Sequence, residues 1–93
     1  MLFMVIERFK NRDARPIYAR LAEKGRMMPE GLEYVGSWIE PTFDRCFQVM
    51  RCDDERLLRE WASRWSDLMD FEITPVITSD EARQRALAAP AAR

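Results

Sequence analysis

The sequence predicts an α+β fold: a four-stranded antiparallel sheet, two helices on one of its faces, and a short C-terminal helix. Two observations carry that expectation. Short runs rich in β-branched and aromatic residues are interleaved with two longer amphipathic stretches, in the order strand, helix, strand, strand, helix, strand. With 93 residues, of which 47% are hydrophobic, the chain has material for one core and not two.

Residues 2–9, LFMVIERF, form the first expected strand. A helix follows, capped by Asp13, with Pro16 tolerated in its first turn and Ile17, Tyr18, Leu21, Ala22 and Met28 at helical spacing. Gly25 weakens its last turn, and PEG at 29–31 ends the segment. Strands at 32–39 and 45–51 are joined by the short connection EPTFD and should form a hairpin. The next helix is the clearest: Asp53 is its expected cap, acidic residues fill the first turn, and Leu57, Leu58, Trp61, Trp65 and Leu68 make one apolar stripe. The fourth strand, 71–77, contains Pro75 and so belongs at a sheet edge. Thr78 and Glu81 have capping-box spacing for a last helix, which fades into the alanine-rich tail ALAAPAAR, expected to fray. The order β-α-β-β-α-β is the split-βαβ, ferredoxin-like pattern, here over residues 1–80, with 81–93 as C-terminal helix and tail.

Composition excludes several classes of function. Fifteen basic and 16 acidic residues leave a formal charge of −1, which gives no footprint for nucleic acid. An aromatic sheet face recurs in RNA-binding modules of similar topology, but the basic residues here are dispersed and no RNP-like segment occurs. No apolar run reaches the roughly 20 residues of a membrane span, and no basic leader opens the chain, so a cytoplasmic protein is expected. There is no histidine and no C-x-x-C pair. A Cys/His metal site, a His-ligated haem and every histidine-based triad therefore lack their ligands or bases, and no cofactor is called for. Cys46 and Cys52 flank an extended segment of about 20 Å, beyond disulfide reach, and are expected to be free thiols.

Strand alternation then divides the sheet. Leu2, Met4, Ile6, Val35, Ile39, Phe47, Val49, Phe71 and Ile73 are assigned to the helices; Phe3, Val5, Glu7, Phe9, Leu32, Tyr34, Gly36, Trp38, Cys46, Gln48, Met50, Glu72 and Thr74 to the other face. A short echo, FMVI at 3–6 against FQVM at 47–50, would put Phe47 with Phe3, whereas the polarity of Gln48 separates them; polarity is given the greater weight. An uncovered face this apolar marks an interaction surface. Its simplest cover is a second copy, giving a homodimer through the non-helix sheet face that extends the sheets toward a barrel.

With the order of elements, the opening MLFMVIERFK and the stretch GLEYVGSWIEP...RCFQVMRCDD...LLREWASRWSDLMDFEITPV resemble the dimeric α+β-barrel superfamily, and more closely a small bacterial family known only as a domain of unknown function. The resemblance spans about residues 1–80 and implies a dimeric barrel. Superfamily relatives include cofactor-independent quinone-forming monooxygenases, haem-degrading enzymes, lactone isomerases and stress-response proteins. The family's motifs carry no established chemistry, so no catalytic residue transfers, and several of these relatives rely on histidine, which this chain lacks.

The residues themselves suggest candidates. Glu7 and Glu72 lie on neighbouring strands; in an apolar cavity one such carboxyl has a raised pKa and serves as general acid or base, with Glu7 the chosen catalytic residue. As rim residues they would simply pair with Arg8, Arg45 or Arg51. Tyr34, Trp38 and Gln48 would hold a flat ligand beside them, with Glu72, or else pack the interface. Trp61 and Trp65, four apart, read as core, packing on strand residues such as Val35 and Phe47, and Cys46 as an inert thiol. Two functions follow: a barrel that binds a small aromatic or hydrophobic molecule between its sheets, with or without cofactor-independent catalysis, or a structural or regulatory homodimer whose inter-sheet core is packed.

Overall fold

A computed structural model describes residues 1–88; the fraying expected of residues 89–93 lies outside this range. Strand β1 (Leu2–Phe9) leads through a 3-10 turn into helix α1 (Arg15–Lys24), then β2 (Glu33–Ile39), β3 (Arg45–Arg51), α2 (Glu55–Ser63), β4 (Met69–Val76) and α3 (Ser79–Ala88). The sheet order is β2-β3-β1-β4, every neighbouring pair antiparallel. This is the ferredoxin-like α+β arrangement, with β2 and β3 as the expected hairpin and the proline-bearing β4 at an edge, the position in a sheet where proline is tolerated.

Local chemistry sets the helix ends. The Asp13 carboxylate accepts from the Arg15 backbone N–H at 3.1 Å, and Pro16 fits the first turn of α1, where its missing N–H has no intrahelical role. Gly25 ends α1 at φ 67, a conformation that suits its missing Cβ. The cap of α2 is Asp54 and not Asp53: the Asp54 side chain accepts from Arg56 N–H at 2.9 Å. Thr78 Oγ1 accepts from Glu81 N–H at 3.1 Å and starts α3, whose residues are all exposed.

The face assignment needs correcting. In β1 it is Phe3, Val5, Glu7 and Phe9 that are buried, and in β3 Cys46, Gln48 and Met50. The apolar ones among these join Leu58, Trp61, Ala62 and Trp65 of the α2 segment in one core. Leu2, Met4, Ile6, Phe47 and Val49 therefore face away from the helices, the reverse of the expectation. Leu32 and Tyr34 also belong to the covered side, packed into or against the core. Phe71 and Ile73 do face the helices: across β1 they stand opposite Glu7 and Val5, while Glu72 and Thr74 stand opposite Ile6 and Met4. Phe47 and Phe3 lie on opposite faces, as the polarity of Gln48 required.

Strand β2 changes face within itself. Tyr34 stands opposite Met50, but the next register pair is Gly36 with Val49, so Val35 is an extra residue in the ladder. Tyr34 thus points into the core, whereas Trp38, opposite Phe47, lies on the open face and is 63% exposed. The Trp38 ring lies close over Gly36, where a Cβ would come within 3.3 Å of it. Trp61 and Trp65 are each 3% exposed; Trp61 packs edge-on against Phe71 with centroids 5.6 Å apart, and not on Val35 or Phe47, which lie on the other side of the sheet.

Candidate functional site

Between the covered sheet face and the α1–α2 layer lies a pocket of about 90 Å³. Its floor is the end of the sheet where the alternation of β1 delivers a carboxyl among apolar neighbours: Glu7, 5% exposed, two residues from buried Val5 and two from buried Phe9. Cys46 stands directly opposite Glu7 on β3, Phe71 opposite it on β4. Ile17, Tyr18 and Leu21 of α1 form one wall, Trp61 and Trp65 another.

Burial governs the electrostatics. Loss of hydration pushes the Glu7 carboxyl up from 4.5 to about 7; the Cys46 thiol, donating to the carboxylate, and the positive charge of Arg26 oppose that shift without cancelling it. Burial also pushes the Cys46 thiol up to about 12, reinforced by the neighbouring Glu7 charge. Cys46 is therefore a thiol and a hydrogen-bond donor at neutral pH, as its lack of an activating base suggested. Both cysteines are free and buried. Gln48, 3% exposed, donates from Nε2 to the Met50 sulfur at 3.0 Å, a weak acceptor.

Two features escaped the sequence reading. Arg26, in the loop after α1, lines the pocket and stacks its guanidinium over the Tyr34 ring, 3.7 Å from the centroid. Its backbone carbonyl accepts from both indoles, Trp61 Nε1 at 3.0 Å and Trp65 Nε1 at 3.1 Å, and the Met27 carbonyl accepts from Arg64. Ser37 faces the pocket as well and shares a 2.6 Å hydrogen bond with the Tyr34 hydroxyl. A cation between Gly25 and the methionines of GRMM was the available signal for Arg26, but a lone arginine in a loop is too common to single out.

Of the sequence-derived candidates, the fold brings Glu7 and Gln48 together in this pocket, with Tyr34 behind Arg26. It separates Trp38 and Glu72, both on the open face; Glu72 pairs there with Arg8 at 3.6 Å. Glu7 and Glu72 are thus on opposite sides of the sheet and are no carboxylate pair. A larger hollow of about 680 Å³ lies against α3, but its Arg51 and Arg85 are exposed and paired with Glu33 and Glu81, so it contains no buried reactive group. Among the described residues no cluster of His, Cys, Asp or Glu is placed to hold a metal ion, and no helix is long and apolar enough to cross a membrane.

Sheet, helices and a buried carboxyl in a small lined pocket define a ferredoxin-like α+β domain with a candidate small-molecule site. The chain belongs to the family described as Domain of unknown function (DUF3303), whose model matches residues 1–89. No functionally curated protein matches it significantly. Among solved structures it is similar to a protein from Agrobacterium tumefaciens, with 17% identity, a TM-score of 0.49, and coverage of 85% of this chain and 96% of that one.

Proposed function

We propose that the protein binds a small, mainly apolar molecule in the pocket between sheet and helices, with Glu7 accepting or donating a proton to it. The observation that carries this reading is a nearly buried carboxyl with a pKa of about 7 in an apolar pocket, where among the described residues it has no ion-pair partner. A group used only for packing has no need of a charge there, and a proton acceptor half-ionised near neutrality is what general-base chemistry requires. Gln48 and Ser37 supply polar contacts for one edge of the molecule, the tryptophans its apolar wall. The test is a fluorescence and thermal-shift titration of the Trp38→Phe variant, in which the pocket tryptophans are the only indole reporters, with phenols, quinones and small hydrophobic acids. A saturable response from one class is expected. Silence across the panel removes the reading.

The same proposal makes the protein a cytoplasmic homodimer joined through the open sheet face. Leu2, Met4, Ile6, Phe47 and Val49, with Trp38 beside them, form a continuous apolar surface on that side. Its charged residues are neutralised within the chain, Arg8 by Glu72, Arg45 by Glu40 and Arg51 by Glu33, so two like faces meet without charge repulsion. Two buried free thiols suit a reducing compartment. Light scattering should give twice the chain mass of 11.0 kDa, falling to one chain for the Trp38→Asp, Phe47→Asp variant. A wild-type mass of one chain at micromolar concentration refutes the dimer. Because pocket and interface lie on opposite faces, a packed inter-sheet core and a ligand pocket are compatible.

A further inference from the structure

We propose that Arg26 is the anion-binding group of this pocket and that the ligand is a small carboxylate with a short apolar tail, an assignment that rests on the small-molecule reading above. Every other arginine among the described residues has a carboxylate within 4.0 Å: Arg8, Arg12, Arg15, Arg20, Arg45, Arg51, Arg56, Arg59, Arg64, Arg83 and Arg85. Arg26 alone has none, although it is half-buried and sits closer to the core than most of them.

Its position is also fixed with unusual thoroughness. Gly25 at φ 67 and Met27 at φ 57 turn the loop, two indole N–H groups clamp the Arg26 carbonyl, and the Tyr34 ring supports the guanidinium from below. A left-handed methionine costs backbone energy that this clamp offsets. The result is a guanidinium held at the pocket with its fork free for a planar two-oxygen partner. The pocket, about 90 Å³ and open on one side, suits a small carboxylate with a short apolar tail rather than a large ligand.

The groups facing Glu7 complete the picture. β3 presents the Cys46 thiol, α1 the Tyr18 phenol, β2 the Ser37 hydroxyl and the loop Arg26, while α2, the turn after it and β4 present Trp61, Trp65, and Phe71 with Met69. Arg26 is the one cation among them. A bound carboxylate competes with ionised Glu7 for the Arg26 charge and so favours the protonated form of Glu7, which makes binding take up a proton and weaken as pH rises above about 7.

The experiment titrates the Trp38→Phe protein with acetate, propanoate, butanoate and benzoate against the matched amides, at constant ionic strength and at pH 6 and 8. Carboxylates are expected to bind at least tenfold tighter than their amides, with propanoate or butanoate best and affinity lower at pH 8. Arg26→Gln should abolish the acid-over-amide preference while leaving amide binding in place, and Arg26→Lys should keep part of it. Amides equal to acids in the unmutated pocket overturn the assignment of an anion while leaving a small-molecule site intact. Inorganic phosphate binding more tightly than propanoate overturns the carboxylate. No binding by acids or amides, together with silence of the wider panel, removes both this inference and the pocket reading.

Discussion

Removing the charge of Glu7 should flatten the pH dependence of folding. The carboxyl has a pKa of about 7 in the fold against 4.5 in the open chain, so the folded state holds its proton more tightly. The stability this provides is complete below pH 4.5 and is lost as pH rises through about 7. At about 1.4 kcal/mol per pKa unit the full loss is roughly 3 kcal/mol, of which roughly 2–3 kcal/mol falls between pH 5 and pH 8. Against a domain stability of about 5–15 kcal/mol this is a large effect. The other shifted carboxylates act elsewhere: arginine partners hold Asp13, Glu40, Asp44, Asp54 and Asp67 below their ordinary values, so their contribution is lost only as pH falls beneath the carboxylate range. Cys46, Cys52 and Tyr18 are all shifted upward and titrate above pH 8. Equilibrium urea unfolding of the wild type and Glu7→Gln at pH 5 and 8, at one protein concentration, isolates the effect of Glu7. The wild type should lose stability over this interval and the variant should not. Equal slopes for the two proteins would refute the buried-carboxyl argument.

Three further outcomes are expected. Trp61→Ala and Trp65→Ala should each destabilise the protein by about 3–5 kcal/mol, since both rings are buried in the core; unchanged melting temperatures would contradict this. Trp65→Phe, which keeps most of the packing but deletes one N–H donor to the Arg26 carbonyl, should cost about 1–2 kcal/mol and speed amide exchange in the loop, and an unaltered exchange pattern there would exclude the clamp. In a Cys52→Ser background, Cys46 should react with a disulfide reagent at pH 8 only as fast as the protein opens, because its thiol is buried and pushed up to about 12; rapid stoichiometric labelling of the folded protein would show otherwise.

The elements were legible because each announced itself locally. Period-two runs, the stripe through Trp61 and Trp65, and Pro75 at an edge sufficed for the ferredoxin-like order. Which way the sheet faced was not, and the reason is specific. Both parities of β1 and β3 are apolar, so only a few polar residues distinguish the faces, and Glu7 and Gln48, which in sequence resemble marks of an uncovered face, are the buried polar pair. Arg8, Arg45 and Arg51 carried the opposite message: they share parity with Leu2, Phe47 and Val49, and such long cations belong where their heads reach water. Three strand arginines outweigh one glutamate and one glutamine. The extra residue at Val35 defeated alternation differently, since a bulge inverts every later side chain of β2 and only the neighbouring Gly36 hinted at it.

The corrected facing alters what the buried carboxyl means. On an interface, Glu7 could have been neutralised by an arginine of a second copy, and its presence would have had a structural explanation. Inside one chain, beneath α1 and α2, no other copy reaches it; among the described residues its neighbours are a thiol donor, an amide engaged with a sulfur, and a cation supported from behind by Tyr34. A leucine or methionine at this position would fill apolar space and avoid the roughly 3 kcal/mol lost above neutral pH. A small domain that keeps a destabilising carboxyl in its own core, in one pocket with an arginine that has no carboxylate within 4.0 Å, is what the proposed small-molecule site requires. The pocket between them is where that small molecule would bind.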